Sequence, residues 1–354
     1  MPISTWGAYI IGILGGLFES EGYTVHGGFG GFVAAVPYQF YPITAIIMVF
    51  LIARFNINLG AMKEYEDKAR DGDDISKMDT EVVSEDEVKG TKATQWNLIV
   101  SILVLVLTTL FLMFMAAGFQ PLAFMDQDIT VPLFFGGVAG LATAIIFGLF
   151  DRDVPPKDLA IVSGKGIWGM VKSAVAILIL AWMVAGSIQA LGVGPMVADI
   201  ISDSNIGVAF LPLIMFIIAA LIAFATGTSW GAFGILLPIA VPIAMATDPA
   251  YMAAIVASVL GGAVVGDHSS PVSDTTVLSA TGARSKLHAH FISQLPYVMV
   301  ASGIAALGYL MYGLTEIIFL SYIVLAIGLT VFVYLNKAVL DNAEEEVDVE
   351  VDVD

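Results

Sequence analysis

Eight stretches of the chain carry no Asp, Glu, Lys or Arg: 22–53, 93–125, 129–150, 173–198, 204–247, 249–266, 287–315 and 317–336. A helix needs roughly 20 apolar residues to cross the hydrocarbon core. Most of these runs reach that length, and 204–247 is long enough for two passes. In lipid the backbone must satisfy its own hydrogen bonds, so the runs predict helices. A soluble core would not produce eight such runs in one chain. The pattern therefore predicts an all-α polytopic membrane protein with about nine to ten transmembrane segments, some of them broken or re-entrant. It divides the chain into N-terminal spans at 1–57, an acidic loop at 58–94, a transmembrane core at 95–336 and an acidic, disordered tail at 337–354.

Composition sharpens this. The chain is 58% hydrophobic and 13% charged, against about 25% charged in a soluble domain. There is no cysteine, which excludes disulfides and thiolate metal sites. A basic leader with a small-residue cleavage site is absent, so no signal peptide is expected. The formal net charge is −18, and the acid is concentrated outside the apolar runs. The 62–92 segment holds eleven acidic and six basic residues, and 341–354 holds eight acidic residues and no base. Such blocks predict solvated, disordered chain, and an acidic wet surface suits a cell with a salty cytoplasm. The sign of the charge disfavours nucleic acid as a partner. The partner to expect is the lipid bilayer, and a homo-oligomer stays open.

The fourteen basic residues fall into four clusters. Short basic loops face the cytoplasm. One path then places every basic residue on one side. A helix near 37–55 ends inside, and the 56–94 loop is cytoplasmic. Helices near 95–117 and 130–150 leave and return, as do those near 169–191 and 206–226. Segment 229–247 leaves, and 250–283 returns with an interruption. Helices near 290–312 and 315–336 finish with the C-terminus in the cytoplasm. The short apolar segment 3–18 is part of a span at most.

The chemistry is concentrated in residues 261–282, GGAVVGDHSSPVSDTTVLSATG. Asp267 and Asp274 lie inside an otherwise apolar span. A charge at the bilayer centre costs roughly 2.5–3.5 kcal/mol on insertion scales, so such residues face a cavity or a partner. Pro271 removes a helix hydrogen bond, and Gly261, Gly262 and Gly266 loosen the approach. Ser269, Ser270, Ser273, Thr275, Thr276 and Ser279 make the broken span rich in oxygen. Carboxylate, hydroxyl and freed carbonyl oxygens are what a small hard cation accepts in exchange for water. On an unbroken helix the two acids share a face about 10 Å apart, and a break at Pro271 brings them closer. Paired carboxylates in a dry site hold a proton until a cation displaces it. Asp267 and Asp274 are the candidate metal-cation ligands. His268 reads as a packing or hydrogen-bonding residue. A proline kink whose acids pair with buried polar groups is the plain alternative.

A second interrupted place is 225–242, ATGTSWGAFGILLPIAVP. Gly227, Gly231, Gly234, Pro238 and Pro242 argue against a straight helix, and Thr228 and Ser229 add hydroxyls to the candidate ion ligands. Interrupted apolar segments of this kind mark transporter binding sites. Small residues for close helix packing are the alternative.

GDHSSPVSDTTVLSATGA at 266–283, His290, QLPY at 294–297 and GTSWGAFGILLPIA at 227–240 closely resemble the signature of NhaC-type sodium/proton antiporters. The opening PISTWGAYIIG is similar to a stretch near the middle of those proteins. The resemblance implies an ion-transporter fold with inverted repeats and broken helices. It also implies that Asp267, Asp274 and the hydroxyls around them face the ion path. Gly227, Trp230, Gly266, His268, Pro271 and Gln294 then stand as supporting residues. The implied activity is exchange of Na⁺ for H⁺ with no cofactor. Family members carry a further N-terminal half, so this chain reads as one half plus of an inverted-repeat transporter. A truncated, inactive product is one expectation that follows. Exchange of an organic anion or amino acid is a second transport reading. No Lys or Arg lies between Lys172 and Arg284 to hold an anion, which favours a cation. A hydrolase using Asp267, His268 and Ser270 is disfavoured, because neighbours on one turn do not line up as nucleophile, base and orienter.

Overall fold

The computed structural model describes residues 5–70, 95–120, 130–150, 155–171, 207–282 and 285–351, with isolated positions between 179 and 191. The described helices are α1 (Thr5–Glu21), α2 (Gly28–Ala35), α3 (Phe40–Phe55), α4 (Ala61–Arg70), α5 (Gln95–Ala116), α6 (Thr130–Phe150) and α7 (Pro156–Met170). They continue as α8 (Leu211–Thr226), α9 (Ser229–Thr247), α10 (Met252–Ser269), α11 (Asp274–Gly282), α12 (Leu287–Thr315) and α13 (Ile318–Val351). No strand occurs among the described residues. Seven of these helices are long and apolar enough to span a membrane, and α2 and α3, interrupted at 36–39, make an eighth if taken as one span. The expected span at 169–191 falls largely outside the described residues.

The chain divides into two units. The first holds 1–36, 84–196 and 237–246. In it α1 packs on α2 and α5 packs on α6. Both contacts rest on glycine. A β-carbon on Gly28 would lie 2.5 Å from Ile11 O, and one on Gly136 would lie 2.8 Å from Leu105 O. Small residues let helix backbones meet where lipid offers no hydrophobic drive.

The second unit holds 37–83, 197–236 and 247–354. Its centre is α10, whose Ile255, Val256, Ala257, Val259, Leu260 and Ala263 are all buried. Gly262 and Gly266, four residues apart, face α8: added β-carbons would lie 2.1 Å from Phe216 O and 2.3 Å from Ala220 O. From the sequence these glycines loosen the helix; in the structure they lock it against its neighbour. On the far side, Tyr309 of α12 is fully buried. Its hydroxyl sits 3.0 Å from Tyr38 O and 3.1 Å from Ala257 O. It joins α12 to α10 and to the turn before α3, and its ring stacks between Phe40 and Phe216.

One expectation changes. Pro238 and Pro242 do not interrupt α9, which runs through both. Each ring removes a donor and crowds the carbonyl four residues back. The interruption lies earlier, at Gly227 and Thr228. The backbone of α13 continues to Val351. Residues 337–351 contain neither Gly nor Pro, and Ala, Leu and Glu favour helix. Within the acidic loop, α4 carries an Lys68–Glu64 pair at i,i+4. The hydrogen bond from Lys68 holds the Glu64 carboxyl below its usual range.

Candidate ion-binding site

The span that contains Asp267 breaks between Ser269 and Asp274. Pro271 has no N–H, and its ring would collide with the Asp267 carbonyl if the helix continued. The break is closed as a tight turn instead, by Ser270 N–H to Asp267 O at 3.3 Å and Ser273 N–H to Ser270 O at 3.4 Å. Ser269 turns its hydroxyl back to Val265 O at 2.7 Å. Ser270 is fully buried, and its Oγ accepts weakly from Val272 N–H at 3.4 Å. Pro271 itself is exposed.

Ser273 caps α11, its Oγ accepting from Thr276 N–H at 3.2 Å. The same hydroxyl lies 2.7 Å from Asp267 Oδ1. Thr275 Oγ1 lies 3.0 Å from Asp267 Oδ2 and 2.8 Å from Ser273 Oγ. Asp267, on the last turn of α10, is only 2% exposed. Its carboxyl thus points at the first turn of α11, where unpaired N–H groups and the helix dipole favour negative charge. Asp274 opens α11; its side chain, and so its distance from Asp267, lies outside the described residues.

The second break touches the first. Gly227 caps α8 with φ of +68°, and a β-carbon there would lie 2.9 Å from Val272 O. Only glycine combines that backbone with that approach. Ser229 is buried, and its hydroxyl donates to Ala263 O at 3.1 Å. It fastens the start of α9 to α10 one turn before Asp267. Thr228 is half-buried, with its hydroxyl outside the cap of α9. Trp230, also half-buried, follows it.

A cavity of about 370 Å³ lies between α3, α11 and α12, beside His268 and Thr275. Its walls include Tyr41, His268, Thr275, Thr276, His290 and Gln294. Thr275 therefore touches both the cavity and Asp267. Among the described residues the buried Thr276 hydroxyl has no hydrogen-bond partner, the kind of group that a water or ion completes. Gln294 Nε2 donates to His268 O at 2.7 Å, and Tyr41 OH meets His268 Nδ1 at 3.0 Å. Sequence reasoning missed Tyr41. It lies on an ordinary apolar helix, 227 residues from its partner, and no local pattern marks it.

Among the described residues no three His, Cys, Asp or Glu side chains cluster as a metal site. One carboxyl with several hydroxyls is a hard, weakly charged donor set, suited to an alkali cation more than to a divalent one. Ser273→Ala removes the α11 cap and one bond to the carboxyl. We expect a stability loss of about 1 kcal/mol, read as a lowered Tm. We also expect cation binding about tenfold weaker, read by calorimetry. Unchanged cation affinity would remove Ser273 from the site.

Seven described helices long and apolar enough to span a membrane define an all-α, multi-pass integral membrane protein. The chain belongs to the Na⁺/H⁺ antiporter family, whose model matches residues 1–314. It is 35% identical over 348 residues to an uncharacterized protein of Haemophilus influenzae, covering 95% of this chain and 65% of that one. It is 38% identical over 98 residues to an uncharacterized Na⁺/H⁺ antiporter of the same organism, covering 27% of this chain and 20% of that one. The chain thus spans about two thirds or less of the length of these relatives. No solved structure matches.

Proposed function

We propose that this chain supplies the cation path of a secondary transporter of the NhaC type, which exchanges Na⁺ for H⁺ at Asp267. The observation that carries the reading is the triangle of Asp267, Ser273 and Thr275. Its three oxygen–oxygen separations, 2.7, 3.0 and 2.8 Å, each need one hydrogen to be a bond. The two hydroxyls bring two hydrogens. A protonated carboxyl brings the third and closes the ring. When the carboxyl is ionised, Ser273 and Thr275 both donate to it, and their own oxygens face each other with no hydrogen between them. A cation placed there neutralises the carboxylate and relieves that repulsion, so proton and cation compete for one site. Thr276, with its unpartnered hydroxyl, stands next in line as a ligand, and Asp274 and Ser270 complete the proposed set. Among the described residues the cavity walls contain no Lys or Arg, which supports a cation as cargo over an organic anion.

In inverted vesicles of an antiporter-deficient host, Na⁺ added to an acidified interior is expected to release protons in proportion to the amount of this chain. Proton release by none of Na⁺, Li⁺ or K⁺ would overturn the reading.

The charge pattern further supports a cytoplasmic 56–94 loop and C-terminus. A cysteine placed at Ser84 is expected to react with an impermeant maleimide only after permeabilisation. Labelling in intact cells would invert the topology.

A further inference from the structure

Tyr41 lies in the first turn of α3 and is only 1% exposed. Exchange at Asp267 makes no direct use of it. A buried phenol hydroxyl costs free energy unless it is hydrogen-bonded. A phenylalanine would fill the same space without that need. Phe40 beside it is such a residue, fully buried with its ring against Tyr309. Among the described residues the Tyr41 hydroxyl has one hydrogen-bond partner, His268 Nδ1 at 3.0 Å, and the two rings lie 5.8 Å apart. The hydroxyl therefore points to a role at His268.

His268 directly follows Asp267 on the last turn of α10, where the helix no longer holds itself. Carbonyls inside a helix take their hydrogen bonds from N–H groups four residues on, and those of the last turn lose them. For Asp267 that residue is Pro271, which has no N–H. For His268 it is Val272, whose N–H turns to Ser270 Oγ instead. Neighbouring helices of the same unit replace what is missing. Gln294 of α12 donates to His268 O at 2.7 Å, and Tyr41 of α3 fixes the His268 ring. One residue is thus held by its main chain from one helix and by its side chain from another. Asp267, one peptide earlier, aims its carboxyl at Ser273 and Thr275 of the α11 segment. The peptide that joins the two residues sets that aim.

We infer that Tyr41 is a positioning residue for cation exchange: by fixing His268 it holds the Asp267 carboxyl in register with Ser273 and Thr275. This rests on the reading of Asp267 as the exchange site.

Tyr41→Phe removes the hydroxyl and keeps the ring. In inverted vesicles, the Na⁺ concentration for half-maximal proton release is expected to rise about fivefold, the scale of one lost hydrogen bond. The maximal rate per inserted protein is expected to stay within about twofold of wild type, since ground-state and later steps lose the same contact. His268→Leu is expected to raise half-saturating Na⁺ at least as far. Adding Tyr41→Phe to it is expected to change nothing more, because the hydroxyl then has nothing to hold. Tyr309→Phe deletes two hydrogen bonds of the same unit away from the carboxyl. It is expected to lower the Tm in detergent and to leave half-saturating Na⁺ as in wild type. Unchanged half-saturating Na⁺ in Tyr41→Phe would overturn the inference and leave exchange at Asp267 standing. So would a full further rise in the double variant, or an equal rise in Tyr309→Phe. Absence of Na⁺-driven proton release by wild type would overturn both.

Discussion

Asp267→Asn is expected to abolish cation-driven proton movement while leaving the protein in the membrane. Asparagine keeps the size of the side chain and two polar atoms for Ser273 and Thr275. It carries neither the charge that attracts a cation nor the proton that a cation displaces. Removing the charged partner from a buried polar cluster costs about 3 kcal/mol or more, which is two orders of magnitude or more in affinity. The check is a pair of measurements in the same vesicles: proton release on adding Na⁺, and the amount of inserted protein by immunoblot. Asp267→Glu retains an ionisable group and is expected to keep residual exchange. Full exchange by the Asn variant at equal abundance would remove Asp267 from the mechanism.

The second large effect concerns stability. Gly266→Leu is expected to destabilise the second unit by about 3 kcal/mol or more, at the upper end for overpacking, because its β-carbon would press on Ala220 O and Phe224 N, at 2.3 and 2.5 Å. Those are backbone atoms, so no side-chain rotation relieves the overlap. The contrast is Gly303 on α12, where a β-carbon meets nothing within 4 Å. Gly303→Ala removes a flexible residue from a helix and is expected to be neutral or stabilising by about 0.5–1 kcal/mol. Thermal unfolding in detergent distinguishes the two. Equal melting temperatures for Gly266→Leu and Gly303→Ala would show that α8 and α10 are not in backbone contact.

The spans were legible because lipid imposes a simple rule on sequence, a charge-free run of fixed length, and 93–125 and 129–150 appear as α5 and α6. The break at Pro271 was legible for a similar reason, since proline states its own backbone requirement. Chemistry within one segment was legible too: Asp267, Ser273 and Thr275 lie within nine residues of each other and meet in the structure. What was not legible depends on partners far along the chain. Ser229 reads as a free hydroxyl in sequence and is engaged by Ala263. Gly262 and Gly266 read as weak points in a helix, because the neighbouring α8 that makes them indispensable lies about 45 residues away. Tyr297 gives no local signal either. Its hydroxyl accepts from Leu59 N–H at 2.8 Å and donates to Ile57 O at 3.0 Å, so it ties the loop after α3 to α12.

The glycine contact between α8 and α10 has a mechanical consequence. Side chains that interdigitate slide over one another by changing rotamer; backbones in contact have no such freedom. Asp267 is therefore carried on a stiff strut of two helices, and any stroke that moves it moves α8 as well. The short α11, which supplies Ser273 and Thr275, is a separate part on the other side of a four-residue turn. The carboxyl and the hydroxyls that hold it thus sit on two separate bodies, one braced by backbone contact and one joined to it through a turn and two hydrogen bonds.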